Sequence, residues 1–159
     1  MEQIAAAHKK NTVIWIAILS GMVILSAVVY LLDSQAIFTP IPDSRQTGQI
    51  LFITAVLLAG AILILKRSIF LPEKVVLKIP KSTAGKNQDD VLLARIRFNY
   101  LIVWSLGEAI LIIGFINYIF TTDFNNFLIF AIVGIYSLLI NKPREDTLHR
   151  CIDMLQKRE

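Results

Sequence analysis

Four apolar blocks constrain this chain more than any other feature of its sequence. They run over residues 12–32, 49–65, 101–120 and 124–140, and Glu108 is the one acidic or basic residue inside any of them. At a helical rise of 1.5 Å per residue the blocks reach about 25–32 Å, which matches a bilayer core of roughly 30 Å. Because unpaired backbone groups are too costly in hydrocarbon, each block is predicted to be a membrane-spanning helix.

The predicted fold class is therefore all-α. It is an integral membrane four-helix bundle made of two helical hairpins, with a cytoplasmic amphipathic helix at the C-terminus. The composition excludes an ordinary soluble domain, since 55% of residues are apolar and 18% charged, against roughly 45–50% and about 25% in soluble proteins. Cys151 is the only cysteine, so an internal disulfide is excluded as well.

The basic residues predict the direction of the spans. Of the 16 lysines and arginines, only Arg45 falls in the segments 33–48 and 121–123, and the other 15 flank the opposite ends of the spans. Positive charge stays on the cytoplasmic side during insertion. We therefore expect a bacterial inner-membrane protein with both ends and segment 66–100 in the cytoplasm. Membrane lipid is then the expected partner of this charge, and nucleic acid is not.

The cytoplasmic parts carry two further patterns. In segment 66–100, the stretch around Pro72 and Pro80 is predicted to be extended, and a helix is predicted from Asp89 into the third span. The tail, residues 143–157, is predicted to be a helix whose apolar residues recur at i, i+3, i+4 and i+7. This stripe consists of Leu148, Cys151, Ile152 and Leu155. It favours packing on the membrane or against segment 66–100, and the alternative is docking of a partner protein.

Glu108 is the residue most indicative of function. A charged carboxylate inside a span costs about 2.5 kcal/mol or more, so Glu108 is expected to face other helices as a neutral acid. Four glycines of similar depth are predicted to form a close-packed layer around it, and nearby hydroxyls to bond to it. The glycines are Gly21, Gly60, Gly107 and Gly134, and the hydroxyls belong to Ser20, Ser105, Thr54 and Ser137. The site is either interhelical glue or a subunit contact, or else a proton- or cation-binding site.

Other chemistry has little support in the sequence. His8 and His149 are far apart and not spaced as metal ligands, and no triad or carboxylate pair occurs within one segment. We therefore expect no enzyme activity, no metal and no cofactor.

Two resemblances add expectations. The stretch LARIRFNYLIVWSLGEAILIIGFINYIF, with the last span and its basic-Pro ending, resembles a pattern in small uncharacterised bacterial four-span inner-membrane proteins. This likeness covers residues 93–146 and implies the same architecture, without an activity to carry over. Gly107 and Glu108 are also similar to the single carboxylate beside a small residue in the proteolipid of rotary ATPases. Glu108, however, lies on the first helix of its hairpin.

The leading functional hypothesis is a small accessory or assembly subunit, non-catalytic, that contacts a protein partner or a second copy through 66–100 and 143–157. The first alternative is a proton- or cation-conducting element centred on Glu108. The second is binding of anionic lipid by a basic cytoplasmic rim. That rim consists of Lys66, Arg67, Lys74, Lys78, Arg95 and Arg97.

Overall fold

The computed structural model describes residues 2–42, 44–69, 71–77 and 86–157, and all regular structure in these ranges is helical. The predicted all-α class is thus confirmed. The helices are α1 (Glu2–Ser34), α2 (Ser44–Ile69), α3 (Pro72–Leu77), α4 (Lys86–Thr121), α5 (Phe124–Ile140) and α6 (Glu145–Gln156). By length and composition α1, α2 and α4 can each cross a membrane, and α5 with α6, bent by 47°, makes up to a fourth crossing.

The long helices extend beyond the apolar blocks. α2 already begins at Ser44, inside segment 33–48 and ahead of the second apolar block. The helix predicted from Asp89 likewise begins earlier, at Lys86. In both helices the polar residues that precede the apolar block contain no proline, so nothing prevents the helix from beginning before that block.

α4 is the central helix of the bundle. One of its faces packs with α2 and α5 through a cluster that includes Ala55, Ile62, Val103, Ile110 and Phe130. The adjacent face joins a larger cluster with α1, which includes Trp104 and Leu111. α4 is therefore the helix through which the other spans are held together.

One end of the bundle gathers the start of α1, the start of α4, α3 and α6, and we name it the inner end. Here the whole apolar stripe of α6 is buried in a cluster that also contains Ile4, Val75, Val76 and Leu92. The opposite end, which carries the α1–α2 and α4–α5 connections, is the outer end. The tail helix therefore packs against its own chain.

The extended conformation predicted around Pro72 is wrong, because residues 72–77 form the helix α3. Pro72 stands at the first helical position and Glu73 in the first turn, and both favour a helix start. The part of that prediction from Lys78 to residue 85, including Pro80, lies outside the described residues. The tail helix likewise begins at Glu145 rather than at Pro143, with Arg144 as N-cap.

Candidate functional site

Glu108 lies near the middle of α4, one turn after Trp104 and one turn before Leu111, which are both fully buried. Its own side chain is only partly buried, and it has no hydrogen bond or ion pair within the described residues. Trp104 and Leu111 belong to the side of α4 whose buried residues cluster with those of α1. Glu108 is thus at the edge of the bundle rather than in its centre.

The predicted hydrogen-bond partners of Glu108 are wrong. Ser20 and Ser105 are both exposed and make no bond to it. Thr54 Oγ1 donates to the Ile50 carbonyl, and Ser137 Oγ is buried without a partner. Position in the sequence gave the depth of these hydroxyls but not the direction in which each faces around its helix axis.

Half of the predicted glycine layer is present in the structure. Gly107 on α4 and Gly134 on α5 face each other, and a Cβ added to Gly134 would lie 2.9 Å from the Gly107 carbonyl oxygen. The third helix contributes a side chain instead of a glycine, since that same Cβ would be 3.0 Å from Met22 Cε of α1. Small residues thus let α4 and α5 approach closely, as expected.

The other half of the layer is wrong. A Cβ on Gly21 or Gly60 would meet nothing within 4 Å, so neither glycine faces another helix. A glycine that the prediction missed is Gly114, where an added Cβ would collide with Phe130 Cβ. Gly114 follows Gly107 by seven residues, or about two helical turns, and that spacing places both on one face of α4. The spacing was the signal that could have found it.

The C-terminal end of α5 accepts hydrogen bonds from three other helices. Trp15 Nε1 of α1 donates to the Leu138 carbonyl at 3.0 Å, and Trp104 Nε1 of α4 donates to the Asn141 carbonyl at 3.0 Å. Lys66 Nζ of α2 donates to the Ile140 carbonyl at 3.1 Å. The last carbonyls of a helix have no intrahelical partner and carry partial negative charge. Three different helices therefore satisfy the end of α5.

These bonds change the roles of several residues. Trp15 and Trp104 are buried donors of hydrogen bonds between helices. Within the basic rim, Lys66 is engaged with α5, and Arg97 Nε donates to the buried Asn11 Oδ1 at 3.3 Å. Arg67, Lys74 and Arg95 are exposed at or near the inner end, and Lys78 lies outside the described residues. The free part of the rim is thus smaller than the sequence indicates.

A second feature, a polar cleft of about 640 Å³, opens at the outer end between α2, α4 and α5. We name it the outer cleft. Its lining consists of Ser44, Arg45, Gly48, Gln49, Phe52, Ile53, Asn117, Thr121, Asp123 and Asn126. Arg45, the one basic residue of the outer connections, is therefore part of a concave site. The sequence signal for it was its isolation among acidic neighbours.

No group of three or more His, Cys, Asp and Glu side chains that could hold a metal occurs in the part of the chain that the structure describes. Compared with protein-family models, curated proteins and solved structures, the chain matches none. Argument about function therefore starts from Glu108, the inner end and the outer cleft.

Proposed function

We propose that the chain is a small, non-catalytic integral membrane subunit of accessory or assembly type. In this proposal α1, α2, α4 and α5 cross a bacterial inner membrane, with the inner end in the cytoplasm. The support is that 15 of the 16 basic residues flank the predicted cytoplasmic ends of the spans. At 17 residues, α5 reaches about 26 Å, which suffices with modest local thinning of the bilayer.

The observation that carries the proposal is the unpaired acid on α4. Ser105 and Ile112, one turn before and one turn after Glu108, are both exposed, so the three residues form an open strip on the bundle surface. An isolated acid facing hydrocarbon is costly, and intramembrane ionisable residues generally find a partner. A donor on a helix of a second copy or of another subunit would remove this cost.

The inner end offers a second, more polar contact surface. Because the apolar stripe of α6 is covered by its own chain, a partner would meet the polar face of α6 together with exposed Arg67, Lys74 and Arg95. Such a surface suits an acidic segment of a partner and contributes more to association rate and specificity than to affinity. The α4 strip is therefore the proposed principal contact.

Cysteine crosslinking in native membranes tests the α4 strip. In a Cys151→Ser background, single cysteines replace Ser105 or Ile112, and Leu57, a more exposed residue of α2, gives the control. We expect crosslinked products from positions 105 and 112 and none from position 57. Adding Glu108→Ala should abolish them, whereas Glu108→Gln, which still hydrogen-bonds, should preserve them. Recovery of monomer alone, or equal products from position 57, would contradict the proposal.

The alternative, a proton- or cation-conducting element, lacks a supporting observation. Conduction requires polar groups on both sides of the acid. Between Glu108 and the outer end, however, the same side of α4 carries the apolar residues Ile112, Phe115 and Ile119. The variant Glu108→Gln separates the two functions, because it removes the ionisable proton and keeps the hydrogen bond. Loss of proton flux in reconstituted vesicles, with crosslinking intact, would favour conduction over assembly.

A further inference from the structure

We propose that the outer end holds a binding site for one phospholipid, with its phosphate headgroup in the outer cleft and an acyl chain in an apolar groove beneath. The inference rests on the membrane placement proposed above but not on Glu108 as a contact site. It concerns the opposite end of the bundle from the basic rim.

The polar half of the site centres on Arg45. Its exposed side chain lines the outer cleft and has no ion pair among the described residues. The nearest acidic group of the lining, Asp123, is already engaged, because its two carboxylate oxygens accept from Asn126 N at 3.0 Å and Asn126 Nδ2 at 2.8 Å. An unpaired guanidinium in a concave site is suited to a phosphate, which it can bind in bidentate fashion.

Asn117 is the independent sign that a ligand is missing from this cleft. It lines the cleft, is only 1% exposed, and its side-chain Oδ1 is buried without a hydrogen-bond partner. Buried polar groups are nearly always hydrogen-bonded, so an orphaned amide oxygen needs an explanation. Gly48 gives this oxygen its room, since a Cβ there would lie 3.0 Å from Asn117 Oδ1. A headgroup that carries a hydrogen-bond donor, such as an ammonium group, would satisfy this oxygen.

The apolar half lies directly below. A groove of about 120 Å³ between the same three helices is lined only by apolar residues, and Phe52 belongs to both the groove and the cleft. Phe52 packs edge-on against Phe130, with ring centroids 5.8 Å apart. The other groove residues are Ala55, Val56, Ala59, Ile110, Ile129 and Val133. The two spaces therefore adjoin at Phe52.

The polarity of one face of α2 indicates which ligand fits both spaces. Along this face the lining residues follow at spacings of three and four: Arg45, Gln49, Phe52, Val56 and Ala59. Residues at this spacing lie on one side of a helix. The face thus changes from cation to amide to aromatic to aliphatic with depth, in the order of a phospholipid's phosphate, glycerol ester and acyl chain. A soluble anion would use only the first part of it.

Lipid titration of the purified full-length chain in detergent tests the site, with retained phospholipid measured by native mass spectrometry. The probe is phosphatidylethanolamine. Arg45→Gln removes the phosphate contact, and Val56→Trp fills the groove from an exposed position. The matched controls are Arg67→Gln at the inner end and Leu57→Trp, next to Val56 but outside the groove lining. We expect one tightly retained lipid, weakened about tenfold by each test variant and by neither control.

Four results would overturn the inference. The first is that Arg67→Gln weakens lipid binding as much as Arg45→Gln, which would place the lipid at the inner end. The second is that no one-to-one lipid complex forms, and the third is that Val56→Trp leaves lipid retention unchanged. The fourth is that inorganic phosphate stabilises the chain against heat as strongly as the lipid, which would indicate a free-anion site. A failure of the Glu108 crosslinks leaves this site standing, whereas recovery of the chain outside the membrane fraction would remove both proposals.

Discussion

The two ends of α5 are held in different ways. At the inner end, its last carbonyls accept hydrogen bonds from Trp15, Lys66 and Trp104, which belong to three other helices. At the outer end, Asp123 caps the first turn locally, and the side-chain oxygen of the nearby Asn117 stays without a partner. The inner end is therefore closed by tertiary bonds, whereas the outer end keeps an unused hydrogen-bond acceptor beside a cleft. We therefore expect the inner end to contribute stability and propose the outer end for binding.

A similar contrast separates the helices themselves. In the most apolar window of α4, 44% of residues are buried, against 17% in the corresponding windows of α1 and α2. α4 thus behaves as a core helix, and α1 and α2 present most of their apolar surface outward. In a bilayer that surface faces lipid, and it carries little of the energy that holds the bundle together.

The largest expected effect comes from removing the central inner-end donor. Trp104→Ala should lower the free energy of unfolding by about 3–5 kcal/mol, because it leaves a cavity and an unpaired Asn141 carbonyl. Thermal unfolding in detergent measures this loss. Tyr136→Ala, which truncates an exposed aromatic of α5, is the control and should change stability by less than about 1 kcal/mol. Equal losses would show that the inner end is not the stabilising one.

The next effect distinguishes a packed glycine from an unpacked one. Gly114→Ala should destabilise by about 1–3 kcal/mol, toward the upper end, because the new methyl would collide with Phe130 across the α4–α5 contact. Gly60→Ala should be neutral or slightly stabilising, since its Cβ meets nothing and alanine favours the helix. Chemical unfolding of both variants in the same detergent gives the comparison. Losses of similar size would show that Gly60 also packs against another helix.

A paired substitution tests the two ends of the bundle more finely. Trp104→Phe keeps the aromatic bulk but deletes the donor, and should cost about 1–3 kcal/mol through the unpaired carbonyl. Asn117→Leu deletes an amide whose oxygen has no partner, so in lipid-free detergent it should be within about 0.5 kcal/mol of neutral, or stabilising. The measurement is the difference between their unfolding midpoints. A large loss on Asn117→Leu would mean that the outer amide is structurally engaged.

The patterns in the sequence predict where the helices lie along the chain, but not how each helix is rotated about its axis. Hydropathy and length located all four apolar helices, and the spacing of Leu148, Cys151, Ile152 and Leu155 correctly described the buried face of α6. Depth within each span was correct for Gly107 and Gly134. The sequence does not show how each helix is rotated about its own axis. For that reason Gly21, Gly60 and Ser20 were predicted to face the bundle interior, which they do not. Hydrogen bonds between distant residues, such as Trp15 to Leu138, leave no local pattern at all.

The smallest effect on the bundle, and the most direct probe of the covered tail, comes from the thiol of Cys151. Burial on the inward face of α6 raises the pKa of Cys151 to about 11. Since the thiolate is the reactive form, maleimide labelling should be slow at pH 7 and continue to rise through pH 10, without the levelling near pH 9 of an exposed thiol. The control is Asp153→Cys in a Cys151→Ser background, on the exposed side of the same helix. Fast labelling of Cys151 that levels off near pH 9 would show that α6 leaves the inner end in solution, and with it the contrast between a closed inner end and an open outer one would fail.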